Sequence, residues 1–178
     1  MLRNLTPDEI RPSLPAVDLD ELAARGIEGV LLDLDNTVCP WHEDEPGPGC
    51  EEWIQRAKER FRLCLVSNSI RPRRLNRVAA RLGIPAVGRF LIGRKPTAGA
   101  YLAALDEISV PRERAAMIGD QIMTDILGAN RLGLHTIWVL PMQGREFFGT
   151  KPARVVEALL MRRFRRMGLY RPTPQPPP

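Results

Sequence analysis

Histidine, cysteine and aromatic residues are scarce in this chain of 178 residues, and it has no long apolar run. Two histidines, His42 and His135, are too few for a centre that needs several imidazole ligands. The cysteines Cys39, Cys50 and Cys64 are odd in number and form no CxxC pair. That argues against a disulfide framework and a thiolate zinc site, and it fits a reducing compartment. No stretch approaches the ~18 apolar residues of a spanning helix. The opening MLRNLTPDEIRPSLP lacks the apolar core of a secretory signal, so a cytoplasmic setting is expected.

What is present suits one soluble α/β domain: 44% of residues are hydrophobic and 26% charged. A domain of this size buries roughly 70% of its unfolded surface and needs no covalent staples. The net charge of +5 is unevenly placed. From Lys151 onward there are seven basic residues against Glu157 alone, which leaves 19 basic and 20 acidic residues in 1–150. A near-neutral body gives no reason to expect nucleic acid as a partner; a basic end points to something narrower.

Five short apolar runs, 29–35, 63–68, 89–93, 115–120 and 135–140, read as strands buried on both faces of a parallel sheet. Helical patterns at about 51–61, 71–82, 97–107 and 122–132 separate them, and Gly83 and Gly133 are placed as helix stops. Strand and helix alternate, so the expected fold is α/β, a doubly wound parallel sheet with right-handed crossovers. Residues 1–28 form a turn-rich N-terminal segment with a short helix near 20–25. The sheet domain occupies 29–150, a basic helix 151–170 and a proline-rich tail 171–178.

Ligands of open parallel sheets bind outside the carboxyl ends of the strands. Here those ends carry Asp33, Asp35, Asn36 and Thr37, then Ser67 and Asn68, then Lys95, then Asp120 with Asp125 five residues later. Crowded carboxylates need a counter-cation, and an oxygen-only donor set points to Mg²⁺. Lys95 and Ser67 add donors for an anionic group. The set suits phosphoryl transfer, with one carboxylate attacking phosphorus.

DLDNT, a strand-end serine, a later lysine and GDxxxxD, in this order over 33–125, resemble the four motifs of the haloacid dehalogenase-like phosphohydrolases. DLDNT, VSNS, RKP and GDQIMTDILGANRLGLHTIWV are similar to the YqeG-type, class IIIA subgroup, a relative of the phosphatidylglycerophosphate phosphatases. Ser69 departs from the subgroup, which often carries a second asparagine there. The resemblance implies a Rossmann-like fold and a Mg²⁺-dependent phosphatase. It makes Asp33 the nucleophile and Asp35 the acid and base. Asp33, Asp120 and the backbone carbonyl of Asp35 would hold the metal, with Asp125 a second metal-side carboxylate, direct or through water. Ser67 and Lys95 would bind phosphoryl oxygens, Asn68 would contact or orient the substrate, and Thr37 would brace the loop. A phosphorylated substrate, in the subgroup a membrane phospholipid, is the partner it implies.

Members of the superfamily often carry a cap domain, and neither inter-motif stretch here has room for one. The expected open site suits a phosphate presented on something large. In 153–169, Val156, Leu160, Phe164 and Met167 recur at helical spacing among arginines. Such a helix either lies on the inner face of an anionic membrane as a peripheral contact or docks on the domain. Arg71, Arg73 and Arg74, at a helix start, are candidates for a second substrate phosphate, with solvated arginines the plainer alternative. Cys39 and Trp53 read as core, His135 as structural, and His42 as a loop residue. Two rival functions stand beside the lipid phosphatase: a phosphatase of soluble or nucleic-acid-end phosphates, and a non-catalytic arginine-rich binding module.

Overall fold

The computed structural model describes residues 2–68, 71–88, 92–142 and 151–171, with backbone only for 2–3 and 151–158. Six strands form one parallel sheet: β1 (Glu9–Arg11), β2 (Gly29–Leu32), β3 (Arg62–Ser67), β4 (Ala86–Gly88), β5 (Ala115–Gly119) and β6 (His135–Val139), in the order β1-β6-β5-β2-β3-β4. The helices are α1 (Leu19–Ala24), α2 (Cys50–Lys58), α3 (Pro72–Leu82), α4 (Ala98–Ile108), α5 (Leu127–Leu132) and α6 (Lys151–Arg166).

Alternate strand residues feed two cores. Val30, Leu32, Leu63, Leu65, Ala116 and Ile118 pack under α2 and α3, against Trp53, Ile54, Leu75 and Val78. Leu31, Cys64, Val66, Ala115 and Met117 pack on the other face against Tyr101, Ala104 and Leu105 of α4. Both faces are covered, which is why the strands read as unbroken apolar runs. The helices stop where the sequence placed their stops: Gly83 and Gly133 adopt φ of +64° and +80°, values costly for a side chain bearing Cβ.

Two expectations about strands are corrected. The third expected strand, 89–93, is displaced: β4 ends at Gly88, Ile92 and Gly93 form a bend, and 89–91 lie outside the described residues. The N-terminal segment also contributes a strand that the pattern did not announce. β1 pairs with β6, and two of its three residues are charged yet buried. Trp53 and Cys39 are core residues as expected, fully buried, and the Trp53 indole donates to the Val17 carbonyl at 2.8 Å.

The docking alternative holds for α6. Phe164 is buried against Ile10, Ile122, Ile126 and Trp138, with Leu160 and Met161 packed beside it. Met167 is exposed, and the side chain of Val156 lies outside the described residues, as does 172–178. Part of the apolar stripe thus serves the domain, while Arg162, Arg163, Arg165 and Arg166 face solvent. No described helix is long and apolar enough to cross a membrane. No cap unit occurs among the described residues between β2 and β3, or between β3 and Lys95: the first stretch holds a loop and α2, the second α3 and β4.

Candidate active site

The chain runs from β2 outward through β3 to β4, then crosses to the opposite side of β2 to lay down β5. That reversal opens a crevice at the carboxyl ends of β2 and β5, where open sheets bind ligands. Asp33 leaves β2 on one side, its N–H bonded to the Ile118 carbonyl at 2.9 Å; Asp120 leaves β5 on the other. The Trp138 indole of β6 donates to the Asp120 carbonyl at 2.8 Å and fixes that corner. A π-helical turn, Ile122–Ile126, then swings Asp125 back to the crevice, held by the Tyr101 hydroxyl donating to the carbonyls of Thr124 and Asp125. Gly119 makes this return feasible, because a Cβ there would collide with the Asp125 carboxylate.

Asp33, Asp120 and Asp125 are buried, and each offers a carboxylate oxygen within 4.8 Å of the others. Lys95, 2% exposed, pairs with Asp33 Oδ1 and, at 2.7 Å, with Asp125 Oδ1. Asp125 Oδ2 accepts the Gln121 N–H at 3.0 Å, so both oxygens of Asp125 are engaged. In contrast, Asp33 Oδ2 and Asp120 Oδ1 are buried with no hydrogen-bond partner among the described residues. Such groups are costly unless something binds them. Three clustered carboxylates stand against one ammonium, and two of them keep a buried oxygen without a hydrogen-bond partner among the described residues. The donor set fits a hard divalent cation bound by Asp33 and Asp120, with Asp125 holding Lys95 in place. Burial, and then the neighbouring carboxylates, push Asp33 and Asp120 above the ordinary aspartate range, although Lys95 opposes this. Lys95 is raised as well: burial disfavours its charge, but Asp125 and Asp33 outweigh that and hold the ammonium.

The remaining candidates line one cavity of about 330 Å³, bordered by Asp33, Asp35, Ser67, Asn68, Lys95 and Arg74, with Trp41, His42 and Arg71 at its rim. Ser67 is 2% exposed at the end of β3. Asn68 borders the cavity, but its amide accepts the Lys95 N–H at 2.8 Å and donates to the Lys95 carbonyl at 2.9 Å. Its side chain therefore pins the lysine backbone. Asp35 stands apart from the carboxylate cluster, with Oδ1 bonded to Arg74 Nη1 at 2.7 Å. Ser69 lies outside the described residues, and the Thr37 hydroxyl is buried without a hydrogen-bond partner among those described.

The arginines after β3 do not behave as a free anion trio. Arg74 is buried and bonded to Asp35 and the 40–44 loop, which removes it from the candidates for a second phosphate; Arg73 is exposed. Arg71 Nη1 lies 3.2 Å from His42 Nδ1, and His42 stacks on Trp41 with ring centroids 4.0 Å apart. His42 therefore belongs to the rim of the cavity, in a left-handed backbone conformation of φ +66°. The sequence signal for Arg74 was faint: arginines at 74, 77 and 81 face the acids of 44–51 only once α3 is docked.

Comparisons agree with this geometry. A family model described as HAD-hydrolase-like matches residues 92–159. The chain is 34% identical to the probable phosphatase YqeG of Bacillus subtilis, over 91% of this chain and 92% of that protein. It is 30% identical to the chloroplastic phosphatidylglycerophosphate phosphatase 1 of Chlamydomonas reinhardtii over 93% of this chain, and spans 64% of that relative's length. Among solved structures, a haloacid dehalogenase-like family hydrolase from Brucella suis superposes with a TM-score of 0.54 at 15% identity, over 73% of this chain and 93% of the other, a likeness of fold.

Proposed function

Since the chain belongs to the haloacid dehalogenase-like phosphatases of the YqeG type, we propose that it hydrolyses a phosphate monoester through an aspartyl-phosphate on Asp33, with Mg²⁺ as its metal. The observation that carries this reading is the orphaned, buried Asp33 Oδ2 beside Lys95 and the orphaned Asp120 Oδ1. Asp33 Oδ2 attacks phosphorus, and the bond to the leaving oxygen breaks as Asp35 donates a proton to it. Asp35, now a carboxylate, takes a proton from the water that cleaves the aspartyl-phosphate and releases phosphate. Lys95 and Ser67 hold phosphoryl oxygens, and Asn68 keeps Lys95 at its station. When bound, Mg²⁺ supplies charge neutralisation of the phosphoryl group, held by Asp33, Asp120 and the Asp35 carbonyl, with Asp125 behind them.

The substrate we favour is phosphatidylglycerophosphate. Two observations support it: a relative bearing that activity in its name, and a site without a cap among the described residues. The apolar stripe of α6 is partly engaged by the domain, so peripheral contact with an anionic membrane would rest on the exposed arginines 162, 163, 165 and 166. Phosphate release from phosphatidylglycerophosphate in mixed micelles with Mg²⁺, wild type beside Asp33→Asn, tests the reading. Release by wild type alone supports both mechanism and substrate. Asp33-dependent cleavage of an aryl phosphate only would keep the mechanism and discard the lipid.

A further inference from the structure

Two arginines are buried among the described residues, Arg11 and Arg74, and only Arg74 borders the cavity. It sits in the first turns of α3, and its nitrogens are engaged by the chain itself. Nη1 donates to Asp35 Oδ1 at 2.7 Å, Nε to the Glu43 carbonyl at 3.0 Å, and Nη2 to the same carbonyl and to that of Pro40 at 3.4 Å. Asp44 Oδ1 lies 3.3 Å from Nε. On the same side of the helix, Arg77 pairs with Asp44, and Arg81 with Glu45 and, at 3.1 Å, Glu51. The spacing of three to four residues puts these side chains in one row. The acidic loop is thereby strapped to α3, and Arg74 is the member of the row that reaches into the site.

Only one oxygen of Asp35 takes part. Oδ1 is anchored by Arg74, and no bond to Oδ2 occurs among the described residues. That is the geometry a proton-transfer group needs: one oxygen fixed in direction, the other left to exchange a proton. A guanidinium holds such an orientation better than an ammonium, because its planar fork is gripped at once by the carbonyls of Pro40 and Glu43. In enzymes with a cap, a second domain can close over the reacting groups. Here the strap between α3 and the loop does the orienting from below.

We propose that Arg74 is a positioning residue for proton transfer, setting the Asp35 carboxylate toward the leaving oxygen in the first half-reaction and toward water in the second. The proposal rests on the reading of Asp35 as the proton-transfer group. The test compares kcat/KM of wild type, Arg74→Met, Arg74→Lys, Asp35→Asn and Arg77→Met on a p-nitrophenyl phosphate and on alkyl phosphates with more basic leaving oxygens, alongside thermal melting. A displaced general acid matters most when the leaving group is poor. Arg74→Met is expected to lose roughly 10²-fold on the alkyl esters and less than about tenfold on the aryl ester, with KM little changed. Arg74→Lys should recover part of the loss, and Arg77→Met, which does not touch Asp35, should show no leaving-group dependence. An equal loss on both ester classes, or a loss carried by KM alone, would overturn the proposal in favour of loop stability or direct substrate binding. If Arg74→Met does not fold, the lysine variant carries the same comparison: leaving-group-selective loss supports the role, and uniform loss overturns it. Asp35→Asn separates the two levels. Selectivity in Asp35→Asn but not in the Arg74 variants sinks the positioning role alone; no selectivity in Asp35→Asn sinks the reading of Asp35.

Discussion

Two of the buried ionic clusters among the described residues are built from similar residues to opposite ends. At the sheet edge, Glu9 Oε2 meets Arg11 at 2.8 Å and Oε1 meets His135 at 3.0 Å. Arg11 continues to Glu21 at 2.6 Å, and Glu21 to Arg171 at 2.7 Å. Both Glu9 oxygens and the Arg11 head are matched. Burial alone would raise the Glu9 carboxyl, but hydrogen bonds from His135 and Arg11 outweigh it and hold the group at about 2. At the strand ends, burial and like charges dominate instead: Asp33 and Asp120 are pushed up, and each keeps an oxygen without a hydrogen-bond partner among the described residues. A closed cluster is a fastening. An open one is a candidate site, because no group among the described residues meets its remaining valence.

The comparison predicts opposite signatures for substitutions in the two clusters. Asp33→Asn should lower kcat by roughly 10⁴-fold or more, the scale of losing a nucleophile. It should also leave the melting temperature in chelator unchanged or raised, since a repelling buried charge is gone; a clear fall would mean the site cluster is a fastening too. Arg11→Ala should do the reverse, costing about 3–5 kcal/mol by stranding Glu9 in the interior. Its kcat per folded molecule should stay within about twofold of wild type, which denaturant unfolding and an assay on the same sample would check.

Metal addition sharpens the contrast. Mg²⁺ at about a hundred times its Kd should stabilise wild type by roughly 2.7 kcal/mol and Asp120→Asn far less, while Arg11→Ala should keep the full response. Calorimetric scans with and without chelator measure this directly. For acid, the sign follows from Glu9. Its folded value lies below the ordinary one of 4.5, so its stabilisation is complete above that pH and fades as pH falls from 4.5 toward 2. Glu9→Gln should flatten the melting curve against pH in that window. The smallest effect concerns the thiols. Burial pushes Cys39 and Cys64 up to about 12 and Cys50 to about 11, so alkylation of the native protein at neutral pH should be slow and should track unfolding.

Much of this was legible in the chain itself. The strands that build the centre of the sheet announce themselves because they are buried on both faces, and the polar residues at their carboxyl ends stand out against those runs. That is why Asp33, Asp35, Ser67, Lys95, Asp120 and Asp125 could be named in advance and are found around one crevice. Strand β1 was not legible: Glu9 and Arg11 give no apolar signal, and their burial depends on partners from β6 and α1. Nor was the fate of Phe164, whose helical spacing suits a bilayer as well as the side of a domain.

Local sequence thus determined the kind of sheet, the order of the motifs and the reaction they suit, because burial pattern and side-chain chemistry are properties of a few neighbouring residues. Only the tertiary structure decided which carboxylate oxygens stay unmatched, that Asn68 pins Lys95, that Arg74 holds Asp35, and that α6 rests on the domain. Those outcomes depend on pairings between segments distant in sequence, where charge and geometry are matched or left open only when the sheet has been assembled.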